Sequence, residues 1–349
     1  MIKIAGLHTA VPPLSLTQEQ SLKFILKNFK TSPACRKLYK KVLTHKGIAK
    51  RHFVFDKIED VLEKDPDKIN HRFEEKALKL SAQSILGALV KAKIKPEELD
   101  FLAVSTCTGY LCPGLSAQLI GKCDLRKDVR TLDVVGMGCG SALPAMEQCH
   151  NFLHAYPKAV AAFVSTEICS SAIFVDDSAD LVISNGIFAD GSASLVLKNM
   201  EEPGVAELCM FHSLTYPEWK ETLRFKTEMG RLRNVLGKDV PQQAGQSVEA
   251  VVKQCLLKMG LKKSDVAHWI LHSGGSKVLD QIQKVLRLTD KEVFPSREIL
   301  KNFGNISSPT VLYVLNEILN SSLPPKPNDF GLMVAFGAGF SVHGCVIRF

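Results

Sequence analysis

The sequence predicts an α/β protein built from two related halves, and three pairings in the same order carry that prediction. Phe73 to Lys93 holds Ala77, Leu80, Ile85, Leu89 and Val90 at helical spacing, and Gln246 to Met259 does the same with Val248, Val251, Val252, Cys255 and Leu256. Each stretch runs through a short polar connection, Lys93 to Glu98 or Gly260 to Asp265, into an apolar strand-like run, Leu99 to Thr106 or Val266 to His272, with the two copies 167 residues apart. Gly138-Cys139-Gly140-Ser141 lies 166 residues before Gly304-Asn305-Ile306-Ser307, and each precedes a helical apolar pattern. Finally, Phe188-Ala189-Asp190-Gly191-Ser192 and Phe336-Gly337-Ala338-Gly339-Phe340 each lead into a strand. Three ordered pairings define two copies of one α/β unit, residues 1–215 and 216–349, joined within Asn199 to Tyr216.

Taken in order, Met1 to Pro13 reads as a short strand entering a Pro-containing loop. It lacks the basic-then-apolar pattern of a signal peptide, and no run approaches the ~18 apolar residues of a membrane span. The expectation is a cytoplasmic protein with no membrane partner. From Lys23 to Arg51 there are ten basic residues and no acidic one, on a chain of net charge +8. Such a segment attracts an anionic partner. No aromatic interleaving, zinc finger or RNP-like motif accompanies it, which argues against nucleic acid and for a phosphorylated small molecule. Asp56 to Arg72 is polar and reads as loop and short helix; Pro96 ends the helix after it. The ten cysteines include no CxxC pair, which excludes a zinc ribbon or a thioredoxin motif and predicts free thiols and no metal site.

Thr131 to Cys149 draws the most attention. Leu132 to Val135 reads as a buried strand, Gly136 to Gly140 as a tight elbow, and Ala142, Leu143 and Met146 as one face of a helix. A cysteine on such an elbow sits at the positive end of a helix dipole, where its thiol pKa is expected to fall. If the halves pack about a pseudo-twofold axis, Cys139 and Asn305 face each other and His272 ends its strand beside both. That is a Cys/His/Asn set assembled from distant segments, as a nucleophilic site requires.

These motifs resemble those of the type III polyketide synthases, relatives of chalcone and stilbene synthase in the thiolase-like superfamily. The carriers are Gly138-Cys139-Gly140, Trp269-Ile270-Leu271-His272-Ser273-Gly274-Gly275, and Gly304-Asn305-Ile306-Ser307-Ser308, supported by Ile187 to Gly191 and Phe336 to Gly339. The resemblance spans nearly the whole chain and implies a five-layered αβαβα fold and a homodimer. A ketoacyl-ACP synthase III also uses Cys, His and Asn, but its histidine is usually followed by Gln-Ala-Asn, so Ser273-Gly274-Gly275 favours the polyketide branch. Ser273 and Ala338 replace prolines common in plant members. One gatekeeper phenylalanine of the family aligns with Phe188; the other falls in Arg233-Asn234-Val235-Leu236, which contains none.

The resemblance implies that Cys139 accepts a starter acyl group from CoA. His272 and Asn305 then hold the enolate formed as malonyl-CoA loses CO2, and the enolate carbon attacks the Cys139 thioester in a Claisen condensation that is repeated before ring closure, to a pyrone, resorcinol or similar product. Neither a metal nor a redox cofactor is implied; coenzyme A thioesters are the substrates. Cys107, Thr108, Cys169 and Phe188 match positions lining the acyl cavity. Lys46, Lys50 and Arg51 match cationic CoA contacts, and Cys112 a segment that reaches across the dimer. The basic surface also suits an acidic acyl carrier protein, the partner a single-condensation ketosynthase would use.

Overall fold

The computed structural model describes residues 1–202 and 204–349. Nine strands form one hydrogen-bonded sheet, and its pairing shows the repeat. In the N-terminal half Phe101–Ser105 runs parallel to Val160–Ile168, which is antiparallel to Asp190–Asn199, itself antiparallel to Ile2–Ala10. In the C-terminal half Val266–Leu271 runs parallel to Phe330–Gly337, then Ser341–Arg348 and Ala206–Thr215 come next, each antiparallel to its neighbour. The halves join where Lys3 and Ile4 pair with Glu207 and Ala206. Ala206–Thr215, on the N-terminal side of residue 216, is thus hydrogen-bonded to strands of both halves.

Alternation along the strands builds the layers. Ala161 and Phe163 face a central cluster while Ala162 and Val164 face the opposite side; Met333 and Ala335 face the same central cluster while Leu332 and Val334 turn away. Two helices fill the centre, Ala142–Ala155 and Thr310–Leu319, contributing Leu143, Met146, Val311 and Leu315. The outer layer of the first half is Pro66–Ala92 with Leu115–Lys122, and that of the second is Val240–Met259 with Ser276–Leu286. The result is αβαβα, as expected. Thr310–Leu319 is apolar on nearly all sides and almost wholly buried, the signature of a helix between two sheets.

Element limits differ from the sequence reading in ways with physical causes. The helix expected from Phe73 begins at Pro66, behind the N-cap Asp65, and the one expected from Gln246 begins at Val240, with Pro241 in its first turn. Proline is suited there, since its missing N–H is one the helix start leaves unpaired. The basic segment folds as two helices, Gln18–Asn28 and Pro33–Leu43. Arg130–Val134 pairs only with Phe101–Ser105 and is the sheet's edge; it is not the buried strand expected, and Val135 beyond it is 53% exposed. The matching stretch of the second half is no strand at all, but part of the helix Asp290–Phe303.

Candidate active site

Each central helix is entered through one of the two glycine motifs, so both elbows open into the middle layer. Cys139 lies in a single 3-10 turn, Gly138–Gly140, just before Ala142–Ala155. Gly138 takes φ +59°, where a side chain is disfavoured. The strand Phe330–Gly337 ends against this elbow: a Cβ on Gly337 would stand 2.3 Å from Met137 O and 2.4 Å from Gly140 N. The Phe336-Gly337 motif therefore serves to let the last strands close on the nucleophile turn.

Asn305 comes just after the helix Asp290–Phe303 and is pinned by its backbone, accepting from Ala189 N at 2.9 Å and donating to Ile187 O at 2.8 Å. Its Oδ1 accepts from Ser307 N at 2.8 Å, which fixes the sense of the amide, and Nδ2 donates to Gly274 O at 3.3 Å. His272 ends its strand, donating its backbone N–H to Val334 O at 2.8 Å, with its ring edge-on to Phe336 at 5.1 Å. Ser307 Oγ donates to Cys139 Sγ at 3.2 Å. Contacts thus run from Cys139 through Ser307 and Asn305 to Gly274, where an added Cβ would stand 3.6 Å from His272 Nε2. All three sequence candidates converge, and all are at least nine-tenths buried.

Their protonation differs from expectation. Burial pushes the Cys139 thiol up to about 12, against the opposing hydrogen bond from Ser307, and the nearby Glu167 carboxyl adds to the rise. Burial likewise pushes His272 down to about 3. Both shifts run against the expected low-pKa thiol beside an imidazolium and favour a neutral thiol and a neutral imidazole before substrate binds. Desolvation on burial in the middle layer is the largest cause of both shifts. Neither His272 nitrogen has a hydrogen-bond partner among the described residues, so one is free to accept and the other to donate.

The other candidates divide. Cys107, Cys169 and Phe188 line the cavity that Cys139 opens into. Thr108 does not; its hydroxyl is used up between Glu167, to which it donates at 2.8 Å, and Ile168 N, from which it accepts at 2.9 Å. Arg51 is no surface CoA contact: it is 2% exposed, and its guanidinium donates to Gln18 Oε1, Asn185 O and Phe188 O at 2.8–3.0 Å. Lys46 and Lys50 are exposed, and so is Cys112.

Sequence reasoning missed three participants. Glu167, fully buried, accepts from Cys107 N at 3.0 Å, Thr108 Oγ1 at 2.8 Å and Ser308 Oγ at 2.5 Å, and lies 3.4 Å from Ser307 Oγ. Burial raises its pKa while these donors hold it back. Its signal was present, as the one charge in Val160 to Ala172. Ser307 stood inside the Gly304-to-Ser308 motif. Phe225 had no signal: it reaches the cavity because the hairpin of Leu223–Glu228 and Arg231–Leu236 pairs it with Asn234, so the second aromatic at Phe188 comes from the neighbouring strand.

Comparison with known proteins agrees with this geometry. Residues 7–214 match the family of FAE1/type III polyketide synthase-like proteins, and residues 214–349 match the C-terminal domain of chalcone and stilbene synthases. The 3,5-dihydroxyphenylacetyl-CoA synthase of Streptomyces toyocaensis is 27% identical, covering 99% of this chain and 90% of its own. The alpha-pyrone synthesis polyketide synthase-like protein of Mycobacterium tuberculosis is 27% identical over 98% of this chain and 89% of its own. The crystal structure of 1,3,6,8-tetrahydroxynaphthalene synthase from Streptomyces coelicolor A3(2) superposes with a TM-score of 0.91 at 25% identity, covering 99% of each chain. With a Cys/His/Asn centre between two thiolase-like halves and both halves matched, the chain belongs to the type III polyketide synthase family.

Proposed function

We propose that the protein loads an acyl-CoA starter on Cys139, extends it repeatedly with malonyl-CoA, and releases a cyclised polyketide. The observation that carries this reading is the run of contacts joining Cys139, Ser307, Asn305 and Gly274 beside His272. In loading, the Cys139 proton passes to His272 as sulfur attacks the thioester carbonyl, and the CoA thiolate leaves with that proton. Burial opposes either charge alone, so the two arise together and only as attack proceeds. In extension, the bond from the malonyl carbon to its carboxylate breaks and CO2 departs. The electron pair moves onto the thioester oxygen, where an N–H of His272 and Nδ2 of Asn305 donate to it. The enolate carbon then attacks the Cys139 thioester, the new C–C bond forms, and Cys139 leaves as thiolate. The Cys139 thiolate then attacks the lengthened CoA thioester, which returns the chain to Cys139 and expels CoA thiolate, protonated from water. The steps draw on the chain's own residues and the two CoA esters and call on no metal or redox cofactor.

Lys46 and Lys50 supply positive charge for the CoA phosphates. A second copy covers the edge strand Arg130–Val134, beyond which Val135 is exposed and where an open edge invites pairing; Tyr110 and Cys112, after the neighbouring strand Phe101–Ser105, are exposed as well. Ten free cysteines suit the reducing cytoplasm, where CoA esters are available; among the described residues no helix is long and apolar enough to cross a membrane. The test is to incubate the purified protein with malonyl-CoA and acetyl-, hexanoyl- or palmitoyl-CoA and monitor CO2 and products by mass spectrometry. Ring products from the wild type and none from Cys139→Ala are expected. Equal product from Cys139→Ala would remove Cys139 from the nucleophile's role, and malonyl accepted only as a carrier-protein ester would replace the CoA-dependent reading.

A further inference from the structure

Asn234 is a polar residue at the cavity that the mechanism leaves unused. It lies on the strand Arg231–Leu236, opposite Phe225, and is 6% exposed. It lines the cavity of Cys139, Phe188 and Phe225, and also an adjoining one that reaches Ala172 and Ile173. Its Oδ1 is buried and has no hydrogen-bond partner among the described residues. Other polar side chains on these walls are engaged: Ser307 with Cys139, Arg224 with Glu221 and Phe225 O, Asn185 with Tyr39 and Phe174 O, Ser184 with Leu181 O. Nor can the amide swing away easily. Its backbone is paired with Phe225, and Arg233 beside it is bound to Asp176 at 3.3 Å and Asp180 at 3.2 Å.

A buried amide oxygen without a donor is costly, and a ligand that supplies one recovers that cost. Resting on the polyketide reading, we propose that Asn234 is a specificity-determining residue whose side-chain amide holds the oxygenated part of the growing chain and thereby selects how that chain folds before ring closure. A saturated acyl starter offers the amide nothing. After extension the chain carries 1,3-dioxygenated carbons: an enol O–H donates to Oδ1, and a keto oxygen accepts from Nδ2. The cavity walls around Asn234 also carry the aromatic and thiol faces of Phe188, Phe225 and Cys169, and their other polar side chains are held by protein partners, so the Asn234 amide fixes the register of a chain that apolar faces alone would let slide. The amide acts after loading, and its effect falls on product choice.

The test compares wild type with Asn234→Leu, close in size but without polar atoms, Asn234→Ala, and Asn234→Asp, which keeps the acceptor. Each is given malonyl-CoA with acetyl-, hexanoyl- or palmitoyl-CoA; acylation of Cys139 is read by intact mass and product ratios by chromatography. Expected are a shift of the ratio of ring products by about three- to tenfold in Asn234→Leu and Asn234→Ala, and a ratio within about twofold of wild type in Asn234→Asp. Should the leucine variant fail to fold, the alanine variant carries the comparison. Wild-type ratios in the leucine or alanine variant overturn the proposal, and an aspartate variant displaced as far as leucine overturns the acceptor role. A wild type that acylates nothing and releases no CO2 overturns the polyketide reading and this one with it, a result distinct from the others.

Discussion

In the N-terminal half the elbow carrying Cys139 is reached from a strand, Arg130–Val134; in the C-terminal half the elbow carrying Asn305 is reached from a helix, Asp290–Phe303. Beyond the elbow the halves are alike, each entering a buried helix of the middle layer. The repeat therefore preserves the exit of each elbow and lets the entrance vary. The difference matters for what each residue can do. Asn305 is gripped on both sides by backbone bonds to Ile187 and Ala189, as a group that must aim an N–H requires. Cys139 is held through its glycine turn and one hydroxyl, leaving the sulfur free to form and break bonds.

The sharpest way to break this comparison is to remove one elbow's side chain at a time. Asn305→Ala is expected to leave acylation of Cys139 by a starter CoA intact and to lower CO2 release and chain extension by about 10²–10³-fold, the usual loss when one donor to a developing oxyanion is removed. Cys139→Ala loses acylation itself. Intact-mass detection of the acyl-enzyme separates the two, and an Asn305→Ala protein that cannot be acylated would mean that the second elbow serves the nucleophile instead of the enolate.

The second prediction concerns charge at the first elbow. With the Cys139 thiol at about 12, its thiolate fraction in the resting protein rises with pH, and alkylation by iodoacetamide should climb about tenfold per pH unit from about pH 7 to 10. His272, at about 3, is neutral across that range and contributes no step near its ordinary value of 6.5. Ser307→Ala removes the hydrogen bond that lowers the thiol's pKa, so its rate at any one pH should fall several-fold. Peptide mapping is needed to separate Cys139 from exposed Cys112. A rate already level at neutral pH would show a resting thiolate–imidazolium pair.

The repeat itself was legible in the sequence because its markers are local. Helical spacing, the glycine motifs and the short connections need no knowledge of what packs where, and they were enough to place Cys139, His272 and Asn305 in one centre. What escaped depended on burial. Arg51 ends a run of exposed lysines in sequence yet folds inward to satisfy three oxygens, and nothing in residue order separates it from Lys50. The expected thiol pKa came from helix-end logic that ignores desolvation, a quantity set by the two halves together. Phe225 and Asn234 face Cys139 by hairpin register, which the sequence leaves open until the turn is known.

The smallest effect tests the repeat at its plainest point. The outer helices end alike, at Lys93 with φ 55° and at Gly260 with φ 65°, and each continues through a 3-10 turn, Pro96–Glu98 or Lys263–Asp265. The same left-handed cap is thus occupied by lysine in one half and by glycine in the other. A side chain in that conformation costs about 1 kcal/mol relative to glycine. At Gly260 a Cβ would meet nothing within 4 Å, so the backbone cost stands alone there. Lys93→Gly should then stabilise the protein by about 0.5–1 kcal/mol, and Gly260→Lys should destabilise it by a similar amount, with activity unchanged in both. Urea unfolding with equal m-values reads the difference. Were Lys93→Gly to destabilise, the lysine would be contributing contacts of its own, and the two caps would be alike in backbone only.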